Sequence, residues 1–122
     1  MNRQTEQLKE RTMQFAVDVL RLINTLPRSI AAEVIGRQLA KSATSVTANY
    51  RATCNARSRA EFIARLGIVV EEADESVCWL DLSIRARIVS VEAAPLRNEA
   101  VELRSIFAKS LGTARANAHH LK

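Results

Sequence analysis

Apolar residues recur at intervals of three and four along four stretches of the chain, with polar segments between them. Over about residues 5–25, Leu8, Phe15, Val19, Leu22, Ile23 and Leu26 form the stripe of an amphipathic helix. Pro27 disfavours helical backbone at the residue before it, and Ser29 is suited to cap a second helix over about 30–51. In that helix Val34, Ile35, Leu39, Ala43, Val46 and Tyr50 share one face, while Arg37, Lys41, Thr44 and Arg51 fall on another. Its middle is crowded with small residues, Ala40, Ser42, Ala43, Ser45 and Ala48, which let a neighbouring helix come close.

Ser58-Arg59-Ala60-Glu61 has the spacing of a capping box and opens a third helix over about 59–89, roughly 45 Å long. Phe62, Leu66, Val69, Val70, Ala73, Val77, Leu80 and Ile84 make its apolar side. Gly67 inside it costs about 1 kcal/mol relative to alanine, so a close helix crossing opposite the small residues of helix two is expected there. A fourth helix, about 95–111, starts at Pro95 and buries Leu96, Ala100, Leu103, Ile106, Phe107 and Leu111. Gly112 suits the position just past its C-terminus, and residues 113–122 read as a frayed tail. Four such helices with short connections bury their stripes together as an all-α, up-and-down antiparallel four-helix bundle forming a single domain.

Composition agrees with helices: of 122 residues, 48% are hydrophobic but only 4% aromatic, and there are 3 Gly and 2 Pro, too few for a turn-rich sheet. No apolar run approaches the roughly 18 residues that span a bilayer, and the polar N-terminus has no signal-peptide core. Cys54 and Cys78 have no ligand-like spacing, so a reduced, cytoplasmic protein with no membrane contact is expected. Enzymatic constellations are missing as well: the sequence has no Gly-rich phosphate loop, and both histidines, His119 and His120, lie in the tail. Without a Glu-x-x-His pair the acidic residues do not match a carboxylate-bridged metal bundle, so neither metal nor cofactor is expected.

Charge is segregated along the chain. Residues 1–61 carry ten Lys/Arg against five Asp/Glu, and residues 62–122 carry eight of each. The segment 37–59 holds Arg37, Lys41, Arg51, Arg57 and Arg59 and no acid, while 71–81 holds Glu71, Glu72, Asp74, Glu75 and Asp81 and no base. The basic segment is a candidate nucleic-acid surface, because clustered cations neutralise phosphate, and Tyr50 beside Arg51 adds a ring that could stack on a base. The competing reading buries Tyr50 in the bundle and leaves Arg51 solvated. The acidic segment could meet the basic face of a neighbouring copy, a heterologous contact that closes into a ring, or pair with helix two of its own chain. Trp79 serves either as core or as the anchor of such an interface.

The motifs Ser45-Val46, Ala48-Asn49-Tyr50-Arg51, Ala56-Arg57-Ser58, Glu61-Phe62-Ile63, Arg65-Leu66-Gly67-Ile68, Glu72-Ala73-Asp74-Glu75 and Trp79-Leu80, with their spacing, resemble the bacterial four helix bundle protein family, named for proteins encoded in intervening sequences of large-subunit ribosomal RNA genes. The resemblance spans roughly residues 11–112. It implies a small helical bundle assembling into a ring, a pentamer. It also implies kinship with accessory proteins of diversity-generating retroelements, which contact nucleic acid and a reverse transcriptase. The expected partners are therefore the chain itself, RNA or DNA, and a reverse transcriptase or other ribonucleoprotein component. The expected nucleic-acid residues are Arg37, Lys41, Arg51, Arg57 and Arg59, and the expected interface residues are Tyr50, Glu71, Glu75 and Trp79.

Overall fold

A computed structural model describes residues 2–120, and side chains through residue 118. Four long helices, α1 (Arg3–Ile23), α2 (Ile30–Cys54), α3 (Arg59–Arg85) and α4 (Ala94–His120), run alternately up and down; α1 packs on α2, α2 on α3, α3 on α4, and α4 returns to α1. A single 3-10 turn, Val91–Ala93, precedes α4. The starts follow from local chemistry: Asn2, Ser29 and Ser58 stand in extended backbone and accept hydrogen bonds from the amides of Thr5, Ala32 and Glu61, satisfying donors that a first turn leaves open.

The apolar stripes converge on one core built around Phe15, Val19, Leu39, Val46, Leu66, Val69, Leu80, Leu103 and Phe107. Two buried hydroxyl pairs cross it. Ser76 Oγ lies 3.0 Å from Ser42 Oγ, joining α3 to α2, and Thr12 Oγ1 lies 3.3 Å from Thr47 Oγ1, joining α1 to α2. Each hydroxyl lies within the small-residue seam of α2 or opposite it, so close approach and hydrogen bonding serve the same contact.

Several expectations are corrected. Helix α3 ends at Arg85, not near Val89, although no glycine or proline stops it. Arg87 takes the left-handed conformation (φ 58°); the Ile88 amide donates to Ser83 O at 2.9 Å and the Arg87 amide to Ile84 O at 3.1 Å. That is a Schellman termination with arginine where glycine is usual. Gly67 supports no close crossing, since a Cβ there would meet nothing within 4 Å. Gly112 does not end α4: it lies inside the helix, which continues through residues expected to fray, to His120. In α2, Val34 is 53% exposed, off the buried stripe.

Two substitutions follow. Arg87→Gly relieves left-handed strain, and Gly67→Ala restores helix propensity in open space; each should raise unfolding free energy by about 1 kcal/mol. Urea titration monitored by far-UV circular dichroism checks this through the midpoint, with the slope unchanged.

Candidate nucleic-acid interface

The period of α2 sorts its residues cleanly. Ile35, Leu39, Val46 and Tyr50 turn inward, and Arg37, Lys41 and Arg51 lie exposed on the opposite side. Arg37 Nη2 meets Glu33 Oε1 at 2.9 Å, one turn back, with both side chains mostly in solvent, so the pair adds little. Lys41 acts across the helix boundary on Glu72: burial and the nearby Glu75 push the Glu72 carboxyl up, and Lys41 partly offsets them. Arg51, Arg57 and Arg59 are exposed and have no ion-pair partner among the described residues.

The acidic block divides. Asp74 accepts from Arg104 Nη1 at 2.7 Å and Asp81 from Arg97 Nε at 2.7 Å, so α4 neutralises two of the five acids in this block. On the other side of α4, Arg11 of α1 donates to both oxygens of Glu99 at 2.8 and 2.7 Å and approaches Glu102 at 3.1 Å. The hydrogen bond to Glu99 is the main reason this guanidinium holds its proton above the ordinary arginine range, against the pull of burial. Glu71 and Glu75 stay exposed, with no cation in salt-bridge range among the described residues.

Tyr50 is removed from any surface role. Its ring is 8% exposed and sits 5.0 Å, centroid to centroid, from Phe107 in the core, because α2 turns this position inward just before its end. It therefore neither stacks on an external base nor reaches a neighbouring subunit with its ring. Trp79 is half-buried against the core, and its indole N–H is enclosed without a hydrogen-bond partner among the described residues. Around it on the outer side of α3 stand Ile68 and Leu82, 40% and 43% exposed, with Glu71 and Glu75 between them in sequence.

Where α2 passes into α3, the turn is shorter than the sequence suggests, since α2 persists to Cys54. Glu61 closes it: one carboxylate oxygen accepts the Arg57 amide at 2.9 Å, and the other meets Arg65 Nε at 3.1 Å. The amide bond, then the guanidinium, hold this carboxyl below its usual range. The acid nearest Arg57 and Arg59 is thus already occupied, and both guanidinium groups face solvent. Phe62, expected in the core, is 37% exposed at the same place. One signal for this was its position in the first turn beyond the Ser58 cap, at the end of the bundle.

Two larger clefts lie at the opposite end. One, about 740 Å³, is walled by Ile23, Leu26, Ile30 and Gly36 with Arg28 and Arg37 at its edge. The other, about 780 Å³, is lined by Asp18, Glu92 and Glu99 against a single cation, Arg21, so acids outnumber bases there. Among the described residues no group of three or more His, Cys, Asp or Glu could hold a metal ion, and no helix is long and apolar enough to cross a membrane.

This four-helix bundle with sorted charge places the chain in a known class. The 23S rRNA-intervening sequence protein family matches residues 4–109, and the chain belongs to that family. It is similar over 88% of its length to a protein of unknown function from the S23 ribosomal protein family of Bacteroides thetaiotaomicron, whose crystal structure covers the same bundle: 30% identity, 97% of that chain, TM-score 0.81. No match was found among curated proteins. Neither similarity names an enzymatic activity.

The placement of Tyr50 predicts its titration. Burial, then the Cys54 thiol beside it, push the phenol well above its ordinary value of 10.0. A raised folded-state value opposes folding once pH exceeds that of the unfolded chain, so stability should decline above about pH 10. The rise in absorbance from the chain's one tyrosine should coincide with unfolding, and ionisation near pH 10 in the folded protein would contradict the burial.

Proposed function

We propose that this protein is a self-associating, non-enzymatic helical bundle that binds nucleic acid, RNA foremost, through a basic surface. The observation that carries the reading is the set Arg51, Arg57 and Arg59, exposed and free of ion pairs among the described residues and close together where α2 passes into α3, while Arg97 and Arg104 of α4 are engaged with acids. Unpaired surface cations break no ion pair when they contact phosphate, and release of counterions from the nucleic acid favours the contact. The family name ties its members to intervening sequences of 23S rRNA, which makes RNA the first nucleic acid to try.

Self-association rests on the outer side of α3. The half-buried Trp79, the exposed Ile68 and Leu82 and the unmatched Glu71 and Glu75 are the features of a face that a second copy would cover. Glu71 and Glu75 against Arg37 and Lys41 of the next copy would give the heterologous contact that closes a ring, a pentamer in keeping with the family resemblance. Arg51, Arg57 and Arg59 would then remain for nucleic acid, and a reverse transcriptase or another ribonucleoprotein component is a second partner to test.

Light-scattering mass of nucleic-acid-free protein, alone and with a mixed RNA and DNA pool, tests both parts. The expected outcome is an oligomer whose mass persists at high salt, because apolar anchors hold it, and which gains nucleic acid at low salt, with affinity falling roughly 20- to 40-fold between about 50 and 200 mM for each copy that places its three arginines on phosphates. An oligomer that ignores nucleic acid at every salt overturns the binding part and leaves an assembly scaffold. A monomer at every concentration overturns the self-association.

A further inference from the structure

Three adjoining clefts open at the end of the bundle where α1 begins, α2 ends, α3 begins and α4 ends, and Phe62 lines all three. The first, about 420 Å³, runs between Thr5, Tyr50, Cys54 and Phe107; the second, about 490 Å³, lies between Arg57, Arg59 and Asn117; the third, about 530 Å³, is bounded by Gln4, Lys109 and Thr113. Their far wall is the last turns of α4, beyond Gly112, where Ala114 and Asn117 come level with the start of α3. The continuation of α4 is thus what turns an open bundle end into a groove.

We infer that this groove takes single-stranded nucleic acid, with a base stacked on the Phe62 ring and flanking phosphates on Arg57, Arg59 and Lys109. This rests on the nucleic-acid reading above and locates it. Three features favour that occupant. The aromatic ring is exposed at the junction of the clefts, so a base has a face to lie against, as non-sequence-specific single-strand binders provide. Arg57, Arg59 and Lys109 surround it exposed and without ion-pair partners among the described residues, while the local acid, Glu61, is already held by the Arg57 amide and Arg65. The walls also carry amides and hydroxyls, Gln4, Asn117 and Thr113, suited to base edges and to the 2′-hydroxyl. A duplex, whose bases are stacked internally, has no base to offer Phe62, so the groove separates single strands from duplexes.

Fluorescence anisotropy with a labelled twelve-nucleotide single-stranded RNA and the matching duplex tests this on the full chain. Phe62→Leu retains apolar bulk but removes the ring face, and it should weaken the single strand about tenfold at all salt concentrations while leaving the duplex unchanged. Lys109→Gln, at a solvated position where the fold is not at stake, should weaken binding and reduce the salt slope by somewhat less than one unit, as loss of one phosphate contact requires. If the wild type binds and both variants bind equally well, the groove is wrong while the nucleic-acid reading stands. If charge reversal at Arg37 and Lys41 then abolishes binding, the outer face of α2 is the site. If the wild type binds neither probe at low salt, both readings fail together.

Discussion

The arrangement of charge in this molecule depends on α4. Its arginines take up Asp74 and Asp81 of α3, and its glutamates take up Arg11 of α1, so the two seams that flank α4 are closed by opposite charges. Helix α2 has no such counterpart for its outer cations, apart from the weak Glu33–Arg37 pair and the distant influence of Glu72 on Lys41. Among the described residues, exposed cations without ion pairs are left on the outer side of α2 and at both ends of the bundle, Arg51, Arg57, Arg59 and Lys109 at one and Arg21, Arg28, Arg85 and Arg87 at the other.

The same helix decides the geometry of the candidate site. Because α4 runs past Gly112, its last turns stand beside the turn between α2 and α3 and give Phe62 a groove. Stability and proposed function thus use different parts of one element: the first half of α4 neutralises, and the second half builds a wall. The core contributes rigidity through Ser42–Ser76 and Thr12–Thr47, buried hydroxyl pairs that hold α2 between α1 and α3 and keep its cations facing outward.

Much of this was legible in the sequence, for physical reasons that can be named. Helical period marked the residues of α2 that lie inside, Val34 excepted, because a single helix face must meet the core. Capping side chains at Ser29 and Ser58 marked the helix starts. What escaped were features decided by tertiary surroundings or by backbone conformation that no residue type announced. Arg87 ends α3 in a conformation usually left to glycine, whereas Gly67 and Gly112 are ordinary helical residues in open space. Tyr50 took the buried one of its two readings, and Phe62, expected in the core, is partly exposed, since only the assembled bundle end shows that α2 turns Tyr50 toward Phe107 and that Phe62 lies at the rim. The unsatisfied indole of Trp79 was likewise invisible until its packing was known.

The central claim is that the exposed cations around Phe62, at the end of the bundle where α2 passes into α3, receive a nucleic acid. Ultraviolet cross-linking of the protein to single-stranded RNA, followed by mapping of the modified peptides, tests it most directly. The account predicts adducts in the peptides that carry Phe62 and the Thr113–Asn117 wall of α4, at low salt only. Adducts confined to the α3–α4 seam around Asp74–Arg104, or to the acidic cleft of Asp18, Glu92 and Glu99, would contradict it.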